Sequence, residues 1–165
     1  AMAAIDTTAG LIANALVCLL QNPHVLPLAQ RDPSLISKVV EETLRLEPSA
    51  LSCSRFAPDA FELGGYSVPA ESHLVLSIGA ANRDPAKYAS PDEFRLDRDY
   101  AGLLTFGGGR HFCLGASLAR MEARIILTEL LPALSYLELA MPISWQTENP
   151  NIRLPTAVML SMTRS

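Results

Sequence analysis

The sequence has little of what marks a nucleic-acid-binding or disulfide-stabilised protein. Charged residues make up only 18% of the 165 residues, and 13 Lys plus Arg against 17 Asp plus Glu give a formal net charge of −4. A basic surface for nucleic acid is therefore not expected. The cysteines at positions 18, 53 and 113 form neither an even disulfide framework nor a CxxC pair. For Cys18 and Cys53 this pattern favours reduced thiols in a cytoplasmic protein.

Residues 1–20 are almost continuously apolar, but they lack the basic residues and the cleavage site of a signal peptide. As a membrane span this stretch would place Asp6 and Asn14 in the bilayer, where a charge costs about 2.5–3.5 kcal/mol. We therefore predict a buried helix and no membrane association. Because a helix that is apolar all round needs partners on every side, we also expect further protein to precede residue 1.

Proline, glycine and hydrophobic periodicity divide the chain into helices and short strands. Helices are predicted at residues 3–20, 33–46 and 116–131. The apolar stripe of the second helix is predicted to consist of Ile36, Val39, Val40, Thr43 and Leu44. Short strands are predicted at residues 54–57, 61–63, 66–68 and 73–78, and again between 134 and 163. Gly64-Gly65 predicts a hairpin turn between the second and third of these strands. Residues 80–112 show no clean periodicity. A long irregular stretch of that kind inside a compact domain is usually functional.

The most distinctive segment is the loop Phe106-Gly-Gly-Gly-Arg-His-Phe-Cys-Leu-Gly115, which ends where the third helix is predicted to begin. Backbone N–H groups at a helix N-terminus carry partial positive charge and stabilise a thiolate, here that of Cys113. The run of three glycines permits turns that are closed to other residues, and Gly115 lets the main chain approach the sulfur or a flat ligand. The loop is suited to hold an axial thiolate ligand rigidly.

Other interpretations of this loop are less well supported. A lone buried cysteine is usually a small hydrophobe, and glycine runs are commonly turns. A dinucleotide loop fails because Phe112 occupies the position of the third glycine, and no Gly-Lys-Ser/Thr follows for a phosphate loop. A zinc site is not expected either, because His111 and Cys113 lack a second ligand pair at zinc spacing.

The loop resembles the haem-binding signature of the cytochrome P450 monooxygenases, a family with Cys-thiolate haem ligation. The matching residues are Phe106, Gly107, Gly109, His111, Cys113, Leu114 and Gly115. Residues 116–122 continue in the style of soluble bacterial members. The resemblance implies a mainly α fold with small antiparallel β-sheets, the C-terminal portion of the family fold. It also implies haem b (iron protoporphyrin IX), with Cys113 as axial iron ligand and His111 at a propionate.

A second match lies on the predicted second helix. Taken alone, Glu42 and Arg45 are an ordinary i, i+3 pair, worth only about 0.2–0.5 kcal/mol when exposed. Glu41, at i, i+4 from Arg45, offers an equivalent partner. The pair nevertheless resembles the family's ExxR motif, and Arg98 matches the third residue of that constellation. The resemblance implies that Glu42, between two guanidinium groups, fixes the loop before Cys113 to this helix.

A third match lies on the first helix, where Ala3, Ala4, Asp6 and Thr7 resemble the family's oxygen-activation segment. Small side chains there leave room for dioxygen beside the cofactor, and an acid next to a hydroxyl can relay protons. The alternative is that Asp6 and Thr7 only cap the helix. On the first predicted strand, Arg55 matches an arginine that binds a haem propionate in relatives.

The resemblance covers essentially all of residues 1–165, which we expect to be a single-domain, haem-binding C-terminal fragment whose N-terminal part is absent. It implies insertion of one oxygen atom of O2 into a small organic substrate, with electrons from a ferredoxin-type donor and its reductase. Arg110, Arg120 and Arg124 are candidates for docking that donor. Three alternatives stay open: a catalytically inactive P450-like partner, a truncated non-functional fragment and a peroxide-driven haem-thiolate enzyme. Asp6 and Thr7 favour the dioxygen route.

Overall fold

The computed structural model describes residues 2–163, with side chains from Ile5 onward, and consists of helices interspersed with small sheets. The helices are α1 (Met2–Gln21), α2 (Leu26–Arg31), α3 (Ile36–Leu46), α4 (Ile78–Ala81) and α5 (Ala116–Leu134). The strands are β1 (Ser52–Phe56), β2 (Phe61–Leu63), β3 (Tyr66–Val68), β4 (His73–Ser77), β5 (Leu137–Leu139) and β6 (Leu160–Met162). The predicted mainly α class with small antiparallel sheets is confirmed.

The predicted second helix begins as a 3-10 turn over Pro33–Leu35 before α3. Asp32 caps this turn, since its Oδ1 accepts a hydrogen bond from the Ser34 N–H at 3.1 Å. At the other end of the fold, α5 runs past the predicted residue 131 to Leu134 and contains Pro132. Burial of Leu131 and Leu134 in the core favours this additional turn, and tertiary packing therefore outweighs the local preference of proline.

The core lies where α1, α3 and α5 pack against one another. The apolar stripe predicted for α3 is buried in full: Ile36, Val39, Val40, Thr43 and Leu44. From α1 and α5 come further fully buried side chains, namely Leu11, Ala15, Leu19, Ala123, Leu127 and Leu134. This three-helix core fixes α1, which carries Thr7, relative to the loop that precedes α5.

The sheets are three antiparallel pairs. β1 pairs with β4, with Cys53 opposite Leu76, and β5 pairs with β6. β2 and β3 form the predicted hairpin, whose turn residues Gly64 and Gly65 have φ values of 56° and 85° that favour glycine. β4 ends one residue before the prediction, because Ser77 caps α4 and Ile78 is helical.

Most apolar side chains of α1 are covered, and the exposed apolar surface lies elsewhere. Leu11 and Val17 are buried, and Ile12, Leu16 and Leu20 are half-buried, because α3 and α5 both pack on α1. The buried helix predicted here is therefore observed, with α3 and α5 supplying partners for these side chains, although Ile5 is exposed. The exposed apolar stripe lies instead on α5 and just before it: Leu114, Leu118, Met121 and Ile125. Within residues 2–163 no helix is long and apolar enough to cross a membrane.

Candidate functional site

The structure brings Glu42, Arg45 and Arg98 together in a buried cluster on α3. Arg45 makes a two-pronged contact with Glu42, from Nε to Oε2 and from Nη2 to Oε1, both at 2.8 Å. The Nε of Arg98 donates to the same Oε1 at 3.0 Å, and so does the backbone N–H of Arg95 at 2.9 Å. Both Glu42 and Arg45 are fully buried. One carboxylate therefore pairs with two arginines and orients both of them.

The two arginines donate hydrogen bonds to backbone carbonyl groups of the irregular segment. Arg45 donates to the carbonyl oxygens of Asn82, Pro91 and Glu93. Arg98 donates to those of Ala89, Ser90 and Glu93. In an irregular segment such carbonyl groups have no helical or strand partners, so these bonds supply the partners that burial requires. Residues 82–98 are thereby attached to α3.

Asn82 extends this attachment to the cysteine loop, a role that the sequence did not indicate. Its side-chain NH2 group donates to Thr105 Oγ1 at 2.8 Å, and its Oδ1 accepts from the Leu104 N–H at 3.0 Å. Asn82 is 1% exposed. The only signal in the sequence is a polar residue directly after an apolar run, which does not identify its partners. Thr105 in turn donates to the Leu44 carbonyl.

Glu41 does not pair with Arg45, although its i, i+4 spacing had left that pairing open. Its carboxylate binds Arg120 of α5, with Nε to Oε1 at 2.5 Å and Nη2 to Oε2 at 3.0 Å. The helical turn separates the two acids, so Glu42 faces the segment that contains Arg98 while Glu41 faces α5. Arg120 is consequently engaged within the fold, whereas Arg110 and Arg124 are exposed.

The cysteine loop is folded back on itself before α5. The Cys113 N–H donates to the Phe106 carbonyl oxygen at 2.8 Å, and a 3-10 turn spans Gly109–His111 between them. Gly107 has a φ of 73°, and a Cβ there would lie 3.3 Å from the His111 carbonyl oxygen. A side chain at this position would be strained. Gly115 behaves differently, since a Cβ there would make an ordinary contact with Cys113 Sγ at 3.9 Å.

Cys113 lies at two adjoining cavities. A cavity of about 440 Å³ is lined by Thr7, Arg55, Phe106, Gly107, His111 and Cys113, all predicted site residues, together with apolar side chains. A second cavity, of about 550 Å³, runs between α1 and α5 and is lined by Thr7, Phe106, Cys113 and Gly115 among others. Thr7 and Cys113 therefore face the same space from α1 and from the loop.

One predicted residue lies outside both cavities, and the side chain of another is not described by the structure. Asp6 is exposed and does not belong to the lining of either cavity. Ala4 belongs to α1, but its side chain lies outside the part that the structure describes. Conversely, Ser49 lines the first cavity without having been predicted. Its hydroxyl is buried and has no hydrogen-bond partner within residues 2–163, so a polar group in the cavity would satisfy it.

The first cavity fits haem. Its walls include the apolar side chains of Leu11, Leu44 and Ile78, the exposed thiol group belongs to Cys113, and Arg55 and His111 are basic partners for carboxylates. Cys18 is unsuited to ligate iron, because burial, reinforced by the charge of Glu47, raises the pKa of its thiol from 9.0 to about 12. Within residues 2–163 no group of three or more His, Cys, Asp and Glu side chains could hold a metal ion by itself.

Comparisons with known proteins find similarity to one protein family. The family model "Cytochrome P450" matches residues 29–142. Cytochrome P450 144 of Mycobacterium tuberculosis is 46% identical over 136 residues, which are 82% of this chain and 31% of that protein. The biotin biosynthesis cytochrome P450 of Bacillus subtilis is 41% identical over 140 residues, 85% of this chain and 35% of that protein. This chain therefore spans about a third of the length of these curated relatives.

Among solved structures, one similar chain is P450BioI in the crystal structure of its complex with an acyl carrier protein ligated to hexadec-9Z-enoic acid. The TM-score is 0.93 at 35% sequence identity, and the match covers 98% of this chain and 42% of that one. At this identity and coverage the two folds correspond over nearly the whole of residues 1–165.

Proposed function

This chain belongs to the cytochrome P450 family, whose cofactor is haem b, and from that premise we propose that the protein is a haem-thiolate monooxygenase. The observation that supports it most strongly is that Cys113 and Thr7 line one cavity, with Arg55 and His111 in the same wall. When bound, haem supplies the iron chemistry that reduces and cleaves dioxygen and transfers one oxygen atom to a substrate.

The chain's own residues have distinct parts in this proposal. Cys113 provides the thiolate, and the bond between its N–H and the Phe106 carbonyl fixes the loop that carries it. Arg55 and His111 balance the propionate charges. The Thr7 hydroxyl holds a proton inside the cavity, while Asp6, exposed beside it on α1, exchanges protons with solvent. We assign to these two residues together the transfer of protons between bulk water and the reacting centre.

We assign electron supply to a ferredoxin-type donor with its reductase, and the substrate to the class of small organic molecules. Since Arg120 is bound to Glu41, docking of the donor falls to Arg110 and Arg124. The three free cysteines fit a cytoplasmic protein. We further propose that residues 1–165 are the haem-binding C-terminal part of the fold and are not a competent monooxygenase by themselves.

Replacing Cys113 tests the ligand. In the intact protein, reduced and exposed to carbon monoxide, the strongly red-shifted Soret band of a thiolate-ligated haem should be present and should disappear in Cys113→Ala. Cys53→Ala is the matched control, because Cys53 lines the same cavity from β1, and it should keep the band. Loss of the band in the control and its survival in Cys113→Ala would move the ligand to Cys53.

Replacing Thr7 tests the proton path. Thr7→Ala should leave the spectrum unchanged while product formed per electron falls by roughly tenfold or more and hydrogen peroxide rises. Thr8→Ala, the neighbouring hydroxyl on α1, is the control and should stay coupled. If Thr7→Ala remains coupled, Thr7 has no relay function. Full turnover with peroxide and none with electron donors would instead favour the peroxide-driven alternative.

A further inference from the structure

Arg120 occupies a position that neither the haem signature nor the ExxR motif assigns. It lies in the second turn of α5, and its guanidinium forks onto the Glu41 carboxylate of α3 through two hydrogen bonds of 2.5 and 3.0 Å. The Arg120 and Glu41 side chains are 29% and 23% exposed. A two-pronged contact of this kind fixes the plane of the guanidinium as well as its place.

The same guanidinium covers the ring of Phe106. Its Cζ atom lies 4.5 Å from the ring centroid, within the range of a cation–π contact. Phe106 opens the cysteine loop, lines both cavities and accepts the hydrogen bond of the Cys113 N–H at 2.8 Å. Arg120 therefore holds the side chain of the same residue whose backbone carbonyl group binds the Cys113 N–H.

The two neighbouring acids of α3 thus hold the loop from two directions. Glu42, through Arg45 and Arg98, fixes the segment that leads into the loop. Glu41, through Arg120, fixes the ring at the beginning of the loop against the helix that follows it. Both attachments converge on one helix, α3, whose inner face belongs to the core.

We propose that Arg120 is a positioning residue for Cys113, which holds the Phe106 ring between α5 and α3 and thereby sets the place of the sulfur. The inference rests on the proposed function only in that Cys113 is taken as the iron ligand. Arg120 also places a positive charge at the base of the loop. Its removal therefore alters both the mobility of the loop and the electrostatic environment of the thiolate.

The first experiment needs no haem. Hydrogen–deuterium exchange of the peptide that contains residues 106–113 is measured in the intact haem-free protein. Arg120→Met should accelerate exchange of the Cys113 amide by about tenfold, the loss expected from a partly buried cation–π contact. Arg120→Lys should restore part of the protection, because an ammonium group still covers the ring but cannot fork onto Glu41. The control is Arg31→Met on α2, since the Arg31 side chain is exposed and has no hydrogen bond or ring contact to the described residues, and it should match wild type.

The second experiment separates positioning from general stability. Because the Arg120–Glu41 pair is partly exposed, its loss should change the thermal midpoint little. In the haem-loaded protein, however, Arg120→Met should lower the fraction with the thiolate-type carbon monoxide band and shift the reduction potential. Glu41→Gln should act in the same direction, and the two changes should be non-additive when combined.

The outcomes are distinguishable. If Arg120→Met and Arg31→Met give the same exchange, band fraction and potential, the positioning role is wrong. If the wild type itself lacks the thiolate band, the proposed function fails, while accelerated exchange in Arg120→Met still establishes the contact between Arg120 and the loop. A fall in thermal midpoint with unchanged exchange and potential would show a merely structural ion pair and would also overturn the proposal.

Discussion

The α3 side of the molecule and the groove between α1 and α5 differ in the burial of their side chains. On the α3 side the polar side chains are buried to within 1% exposure and bound to partners, as for Glu42, Arg45 and Asn82. At the groove and along the exposed stripe of α5, apolar side chains are 45% to 102% exposed, namely Leu114, Leu118, Met121 and Ile125. Cys113 and Phe106 lie at the boundary. The site therefore lies between a buried, hydrogen-bonded polar cluster on the α3 side and an exposed apolar surface on α5.

Removing Glu42 from the buried cluster on the α3 side should have the largest effect on stability. Glu42→Ala leaves Arg45 fully buried and Arg98 only 7% exposed without their shared counter-ion, a loss of about 3–5 kcal/mol in the free energy of unfolding. Urea unfolding measures it. Glu62→Ala, on the exposed strand β2, is the control and should change stability by less than about 0.5 kcal/mol. Similar unfolding of the two variants would contradict the view that Glu42 holds the α3 side together.

The sequence predicts those helices and strands whose signals are local. The buried stripe of α3 follows from its helical spacing, and the β2–β3 hairpin follows from Gly64-Gly65, because both signals are local. The end of α5 does not follow, since Pro132 suggests an earlier stop while burial of Leu134 extends the helix. Local patterns therefore predict the elements but not what packing adds to them.

The grouping of residues in the candidate site is harder to predict, because these residues are far apart in the sequence. Spacing alone allows either Glu41 or Glu42 to face Arg45, and only the packing of α3 between α5 and residues 82–98 decides between them. Asn82 lies in a stretch without periodicity, so no sequence pattern connects it to Thr105. The grouping of Arg98 with Glu42 came from the family resemblance and not from any rule of spacing.

Changing the open surface should have a smaller effect on stability. The variant with both Leu118→Gln and Ile125→Gln alters two α5 side chains that are 51% and 56% exposed, and glutamine keeps helix propensity. Unfolding free energy should change by less than about 1 kcal/mol. Leu127→Ala, on the same helix but fully buried, should cost about 2–5 kcal/mol.

The same surface should govern association. Residues 1–165 expressed alone should self-associate through the exposed α5 stripe, because contiguous apolar patches on a monomer promote contact. The Leu118→Gln, Ile125→Gln variant should shift the solution mass toward the monomer, measured by sedimentation. A monomeric parent with full haem occupancy and coupled substrate oxidation would show instead that the surface needs no partner.

The smallest perturbation is chemical labelling, which compares the two regions through their thiols. Cys113 is exposed, Cys53 is intermediate and Cys18 is buried beneath the α3 side. In the haem-free protein, iodoacetamide should modify the three residues in that order, which mass spectrometry of peptides can follow. Labelling in denaturant is the control, because the order should vanish once burial is lost. Cys18 reacting as fast as Cys113 in the folded protein would mean that the α3 side opens freely.

Cys18 also predicts a dependence of stability on pH. Burial raises the pKa of its thiol from 9.0 to about 12, so the folded protein keeps the proton that the unfolded chain loses above about pH 9. This contribution to stability is complete below pH 9 and is lost between about pH 9 and 12, at roughly 1.4 kcal/mol per pH unit. Cys18→Ala lacks the titrating group, so its urea midpoint should decline less steeply than that of the wild type between pH 9 and 10.5. Parallel declines would show that Cys18 titrates alike in both states, and the α3 side would then be as accessible to water as the groove.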